Sequence, residues 1–172
     1  MKKLFLTIVA ALAVSMGAQA DNPYKKFTEK VPFAMPEVSA PVIPDYQVKL
    51  TDLGAVGDGI TLNTEAFAKA IDALSKRGGG KLVVPQGVWH TGPIVLKSNI
   101  ELNLKSGAVI LFAADESLYP IIETSFEGLD TRRLQSPIYA KGATNIAITG
   151  KGVIDGNGQP CALRQLIYLI VF

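Results

Sequence analysis

The sequence has little of the chemistry that many enzymes and metalloproteins use. Its 172 residues include one cysteine, Cys161, one histidine, His90, and one tryptophan. A single cysteine cannot form an internal disulfide, and neither histidine nor cysteine recurs at the spacing of a metal site. We therefore expect no metal site and no cofactor.

Net charge is also lacking. The formal charge is +2, and two of the 17 basic residues, Lys2 and Lys3, lie in an N-terminal leader. Without them, fifteen basic residues balance fifteen acidic ones. Nucleic-acid binding depends on a basic field, so the sequence predicts no nucleic-acid partner. Hydrophobic residues make up 48% and charged residues 19%, which excludes disorder caused by excess charge.

Residues 1–20 have the pattern of a secretory signal peptide. Two lysines precede an apolar run over residues 4–14, and Ala18 and Ala20 form a small-residue cleavage site before Asp21. The apolar run is shorter than the roughly 20 residues that span a membrane. The pattern predicts export, to the periplasm or the medium, without a stable membrane anchor.

Residues 21–47 are rich in proline, which is typical of extended backbone and disfavours helix. We interpret this segment as a Pro-rich arm, either lying along the fold or forming a free linker. The prolines are Pro23, Pro32, Pro36, Pro41 and Pro44.

One helix is predicted after the arm. Asn63 suits an N-cap, Gly78 suits a left-handed C-cap, and Phe67, Ile71 and Leu74 share one apolar face. After Gly78 the helical period disappears.

Short strand-like runs separated by Gly, Asn, Ser and Pro follow the helix. Asn99 and Asn145 open two similar runs 46 residues apart, which we interpret as two periods of 23. Such recurrence favours an all-β solenoid, a right-handed parallel β-helix over residues 48–159, with the helix covering its N-terminal end. At this period, residues 80–159 hold about three to four coils. A β-sandwich is the alternative. The predicted strands are residues 81–84, 94–96, 100–104, 108–112, 138–140, 146–149 and 153–155.

Several of these runs carry a resemblance to known proteins. Residues 53–59 (Leu-Gly-Ala-Val-Gly-Asp-Gly) and 78–85 are similar to the opening of pectate-lyase-superfamily β-helices. Further runs resemble glycoside hydrolase family 28, the polygalacturonases: residues 96–102, 106–108, 119–120, 136–138 and 145–156. The resemblance implies the incomplete, N-terminal coils of a parallel β-helix. It also implies inverting hydrolysis of α-1,4-galacturonosyl bonds in pectin, the pectic polysaccharide being the partner.

The residues that the family uses for catalysis are missing from the chain. The family draws them from Asn-Thr-Asp, Asp-Asp, Gly-His-Gly and Arg-x-Lys segments, and none of these occurs here. Asn63-Thr64-Glu65 is only superficially similar to the first. We therefore predict no catalytic residue, leave the substrate-binding residues unassigned, and expect an inactive N-terminal portion of a hydrolase. The alternative is a non-catalytic polysaccharide-binding or structural module; a calcium-dependent lyase fits the motifs less well.

The end of the printed chain departs from the family pattern. Residues 160–172 finish with seven consecutive apolar residues, typical of an aggregation-prone strand. We interpret this tail as the product of a frameshift or truncation. We also expect self-association through the open end of the β-helix.

Two further features of the sequence bear on function. A lone histidine is more often structural than catalytic, so His90 is expected to form a structural hydrogen bond. Arg132 and Arg133 lie in a predicted long loop, residues 113–135, and have the chemistry to pair bidentately with galacturonate carboxylates. A solvated surface pair is the favoured interpretation. Glu123, Glu127 and Asp130 in the same loop are available to neutralise the two arginine charges locally.

Overall fold

The computed structural model describes residues 24–36 and 38–158, so the predictions for residues 1–20 and 160–172 lie outside the described residues. The chain divides into two units, Met1–Ala40 and Pro41–Phe172. In the first unit the arm forms one helical turn, α1 (Lys25–Thr28). The expectation of no helix in the arm is wrong here, because no proline interrupts the chain between Pro23 and Pro32.

The second unit is built almost entirely of short strands, and its helix α2 spans Thr64–Lys76. A 3₁₀ turn, Leu50–Leu53, precedes α2, and a second, Glu116–Leu118, follows β6. The strands are β1 (Gln47–Lys49), β2 (Gly80–Val84), β3 (Gly87–Thr91), β4 (Ile94–Val95), β5 (Ile100–Leu104), β6 (Ala108–Phe112), β7 (Ile121–Phe126), β8 (Leu129–Leu134), β9 (Ile138–Tyr139), β10 (Ala147–Gly150) and β11 (Val153–Asp155).

The strands stack into parallel sheets, as a β-helix requires. One sheet has the order β1-β2-β5-β10, the second β3-β6-β11, and the third pairs β4 with β9. All of these pairings are parallel. Each coil therefore contributes one strand to successive sheets, which confirms the predicted parallel β-helix and excludes the sandwich.

The predicted period of 23 residues is wrong. Lys81 pairs with Glu101, twenty residues later, whereas Glu101 pairs with Ala147, 46 residues later. The 46-residue offset is thus one coil enlarged by an insertion. Asn99 and Asn145 occupy the same turn of adjacent coils, where Asn145 Nδ2 donates to Asn99 Oδ1 over 2.7 Å.

The insertion is an antiparallel hairpin of β7 and β8. It lies within residues 113–135, where the sequence predicted only a long loop. Glu127 and Gly128 form its turn, with φ of 53° and 83°, as in a two-residue hairpin connection.

The residues that form the core are set by the alternation of side chains along each strand. In β5, Ile100, Leu102 and Leu104 point inward and are buried, because successive side chains of a strand face opposite sides. Leu102 stacks between Leu82 and Ile148 in register. Ile148, in the last described coil, is 39% exposed, so the stack is open at its C-terminal end within the described residues.

Helix α2 closes the N-terminal side, as predicted. It packs against β1, the edge strand of the first sheet, and against β2. Phe67, Ile71 and Leu74 are buried in the core. The C-terminal prediction is confirmed as well, since Gly78 has φ of 89° and Gly79 N–H donates to Leu74 O.

Asn63 is the N-cap residue of α2, as predicted. Asn63 precedes α2, but its side chain makes no capping hydrogen bond. Instead Oδ1 accepts from Val56 N–H over 2.8 Å, and Nδ2 lies 2.7 Å from Thr61 O and 3.2 Å from His90 O. The amide is 2% exposed and joins the preceding loop to β3.

Candidate functional site

His90 lies on β3 and makes a structural contact, as expected. Its Nδ1 lies 3.2 Å from Ile60 O, and its carbonyl accepts from Asn63 N–H. No acidic side chain is hydrogen-bonded to the ring among the described residues, so the structure does not supply the partner that a general base needs.

The Asn63-Thr64-Glu65 triplet also has local roles. Thr64 Oγ1 accepts from Gly92 N–H over 2.7 Å, and exposed Glu65 pairs with Lys69 over 3.3 Å. Within residues 24–36 and 38–158, no group of three or more His, Cys, Asp or Glu side chains could hold a metal ion. The same residues contain no helix with the length and hydropathy to cross a bilayer.

A polar row crosses the outer face of the first sheet. Glu101 on β5 contacts Lys81 on β2 over 3.2 Å and also Thr149 on β10. Burial raises the pKa of Glu101, but hydrogen bonds from Thr149, Lys81 and Asn103 prevail and hold this pKa below its usual value. The carboxylate is therefore charged at neutral pH and joins three coils, which suits a structural role better than that of a general acid.

The arginine pair lies on β8 of the inserted hairpin. Arg132 faces Glu123 across the hairpin, and Arg133 faces Ile122. Arg132 is exposed as predicted, but Arg133 is half-buried, with its guanidinium carbon 4.1 Å from the centre of the Phe126 ring. The surface-pair interpretation therefore does not fit Arg133.

The carboxylates expected to neutralise these arginines locally form no direct ion pair with them. The ion pairs of the described residues are Lys25–Glu29, Lys69–Glu65, Lys81–Glu101 and Lys97–Asp72. None involves the hairpin, although Glu123 is in register with Arg132. Within the part of the chain that the structure describes, the charged side chains of the hairpin therefore form no direct ion pair.

A cleft of about 1180 Å³ lies between this hairpin and the segment that contains β9. Its lining combines three cationic side chains, three carboxylates, hydroxyl groups and one tyrosine. The lining residues that bear on its chemistry are Glu116, Ile122, Glu123, Thr124, Asp130, Thr131, Arg132, Arg133, Ser136, Ile138, Tyr139 and Lys141. This is the candidate functional site.

Sequence reasoning missed the hairpin that builds this cleft. A signal was present, because residues 121–126 and 129–134 are two strand-length runs separated by Glu127-Gly128, and a two-residue connection containing glycine is a hairpin signal. The many threonine and charged positions of these runs conceal the usual apolar alternation.

Comparisons with known proteins give a consistent result. No protein-family model matches the chain. It is 41% identical over 131 residues to a probable polygalacturonase of Vitis vinifera, covering 71% of this chain and 27% of that protein. It is 41% identical over 119 residues to an exo-poly-alpha-D-galacturonosidase of Dickeya chrysanthemi, covering 64% and 19% respectively.

A comparison with solved structures gives a relative of the same kind. The chain matches a hyperthermoactive exopolygalacturonase from Thermotoga maritima with a TM-score of 0.66 and 51% identity, covering 69% of this chain and 27% of that one. The chain spans about a quarter or less of the length of these relatives.

Proposed function

Because the chain is a polygalacturonase-like partial segment of glycoside hydrolase family 28, we propose that it forms the N-terminal portion of a hydrolase that cleaves α-1,4-galacturonosyl bonds of pectin. The observation that carries this proposal is the 41% identity over 131 residues to a probable polygalacturonase. The parallel coils supply the frame on which such an enzyme builds further coils.

We propose that the printed chain is inactive by itself. Inverting hydrolysis requires one carboxylic acid to protonate the leaving oxygen and one carboxylate to activate water, about 6.5–9.5 Å apart. The printed sequence has no Asp-Asp or Gly-His-Gly segment to supply that machinery, and Glu101 is engaged by Lys81 and Thr149.

A pair of reducing-sugar assays on polygalacturonate tests both statements. The printed chain is expected to release no reducing ends. A chimera in which residues 41–158 replace the matching segment of the Thermotoga maritima relative is expected to hydrolyse the polymer. The same chimera carrying Leu102→Asp is the control, because a charge buried in the coil stack prevents correct folding. Turnover by the printed chain, or a folded but inactive chimera, would contradict the proposal.

Export is part of the proposed function. It rests on the leader pattern of residues 1–20, with its basic start, apolar run and Ala-Gln-Ala site. Expression of the chain with its leader in a bacterial host is expected to deliver a periplasmic or extracellular product whose first residue is Asp21. A full-length product retained in the cytoplasm would contradict export.

We further propose that the printed chain self-associates through its open C-terminal coil. Ile148 is 39% exposed and Ile154 38% exposed, although both are in register with buried residues of the preceding coil. Unpaired strand edges and apolar surface of this kind favour association with a second copy. Ile148→Lys/Ile154→Lys is expected to shift the chain toward monomer in sedimentation velocity, whereas exposed Ile121→Lys is not. Equal association of both variants would contradict this interface.

A non-catalytic polysaccharide-binding module is the second candidate function. The cationic and hydroxyl side chains that line the hairpin cleft favour it, because they offer binding groups without requiring catalytic coils. An inactive chimera together with binding of polygalacturonate by the printed chain would support this function instead.

A further inference from the structure

The inserted hairpin has two free strand edges. Strands β7 and β8 pair only with each other among the strands that the structure describes. An isolated two-stranded hairpin is marginally stable by itself, and its unpaired edges are templates for a further strand. Besides the open coil, the hairpin is therefore a second place where a strand of another molecule can add to this chain.

Hydrogen bonding along the hairpin shows which groups face the free edge of β8. Gln135 N–H donates to Pro120 O, which continues the register of the hairpin by one pair. Antiparallel pairs alternate between hydrogen-bonded and non-hydrogen-bonded ones, so Asp130 and Arg132 occupy non-hydrogen-bonded positions of the β7–β8 pair. Their N–H and C=O groups thus point away from β7, and within the described ranges they form no backbone hydrogen bond across that edge.

The side chains at this edge have a self-complementary charge pattern. Asp130 and Arg132 are both exposed and share one face of the hairpin, one on each side of Thr131. Neither takes part in an ion pair of the described residues. Charges of one sign protect a strand edge from pairing. An acidic and a basic residue flanking a central position instead match their own copies about a twofold axis.

Only one symmetric register joins opposite charges. If two copies of β8 pair antiparallel with Thr131 on the twofold axis, Asp130 of each copy lies opposite Arg132 of the other. Both become hydrogen-bonded pairs, because they use the backbone groups that point away from β7. Registers centred on Asp130, Arg132 or Arg133 place like charges opposite each other, which is destabilising. The free edge of β7, residues 121–126, contains no basic residue and offers no such match.

We propose that β8 is a docking edge for β8 of a second copy of this chain, centred on Thr131. The two hairpins then form one four-stranded antiparallel sheet with the order β7-β8-β8-β7, in which the marginal two-stranded hairpin is stabilised. The pairing also places Leu129, which is 73% exposed, opposite Arg133 of the second copy. This interface is distinct from the open coil and does not depend on the proposed activity.

Charge exchange tests the register in the full chain. All variants carry Ile148→Lys/Ile154→Lys, so that the open coil does not contribute to association. Asp130→Arg places arginines opposite each other in both pairs, and Arg132→Asp places aspartates there. Each variant is expected to weaken dimerisation about tenfold or more, measured by sedimentation velocity over a concentration series. An equimolar mixture of the two variants should dimerise as well as their parent, because every pair is again of opposite sign.

Disulfide trapping tests the same register without changing a charge, which matters because residue 132 faces Glu123 in its own hairpin. In chains that also carry Cys161→Ser, Thr131→Cys places two thiols on the axis with Cα atoms about 4.5 Å apart, within the range of a disulfide. Ser125→Cys on β7 is the matched control. Ser125 is more exposed than Thr131, but three strand spacings place it about 14 Å or more from its copy. Mild oxidation should therefore produce covalent dimer much faster for Thr131→Cys.

Three results would overturn the docking edge. They are a monomer at every concentration once the open coil is blocked, a mixture of the charge variants that associates no better than either alone, and equal cross-linking of Thr131→Cys and Ser125→Cys. None of these measurements depends on hydrolysis. An inactive chimera would leave the docking edge unaffected, and loss of the docking edge would not contradict the hydrolase proposal.

Discussion

Replacing Asn63 with aspartate is expected to lower the free energy of unfolding by about 3 kcal/mol, because a buried carboxylate would then face carbonyl oxygens. Asn63 Nδ2 lies within hydrogen-bond distance of the carbonyls of Val56, Thr61 and His90. The substitution removes every donor and adds a charge at a position that is 2% exposed.

The experiment distinguishes two roles for this residue. If Asn63 acted as a side-chain N-cap, Asn63→Asp and Asn63→Ser would both be tolerated, since aspartate and serine are good caps. If Asn63 is instead a buried clamp, whose amide holds the preceding loop to β3, the protein should tolerate neither substitution. Urea unfolding followed by circular dichroism measures the difference, with Glu65→Gln as the exposed control in the first turn of α2. A loss below about 0.5 kcal/mol for Asn63→Asp would contradict the clamp.

Leu102→Ala is expected to cost about 2–5 kcal/mol of unfolding free energy, because it opens a cavity in a fully buried row. Leu102 is 0% exposed and lies between Leu82 and Ile148 in register. Ile148→Ala removes a comparable side chain from the same inward row one coil later. Ile148→Ala should lower the unfolding free energy clearly less than Leu102→Ala does, since Ile148 is already 39% exposed.

The two variants together measure where the stack ends. Denaturant unfolding at low protein concentration gives both values without stabilisation by association. Equal losses would show that the coil containing β10 is covered in solution, and would therefore contradict the open C-terminal end.

Strands whose sequence has a clear local pattern of apolar residues were predicted correctly. The runs at residues 100–104 and 108–112 coincide with β5 and β6, because apolar and polar residues alternate along the first and the second is a continuous apolar run. The segment Gly87–Thr91, which forms β3, was not predicted as a strand. Its inward residues Trp89 and Thr91 and its outward residues Val88 and His90 each combine an apolar with a polar side chain, which gives a weak pattern. Parallel pairing with β6 stabilises the strand.

The asparagines show the limit of local reasoning. Asn99 and Asn145 have φ of 62° and 57°, conformations that asparagine tolerates better than most residues. The sequence marked both as equivalent turns, but their separation along the chain did not reveal how many coils lie between them. Only the pairing of Glu101 with Ala147 shows that they are adjacent.

The candidate site was the least accessible to sequence reasoning. Arg132 and Arg133 were recognised as possible carboxylate ligands, but two neighbouring residues on a strand face opposite sides. Which one faces the protein depends on how the hairpin packs. The stacking of Arg133 on Phe126 and the unpaired donors of Arg133 and Gln135 are tertiary facts.

The sequence by itself determined the parallel β-helix, the covering helix and the family resemblance, because these depend on repeated short-range patterns of apolar residues and turns. Tertiary structure decided the coil register, the clamp made by Asn63 and the hairpin cleft. These features depend on which distant segments lie side by side, and an insertion such as Ile121–Leu134 changes the separation along the chain without changing the contacts across the stack.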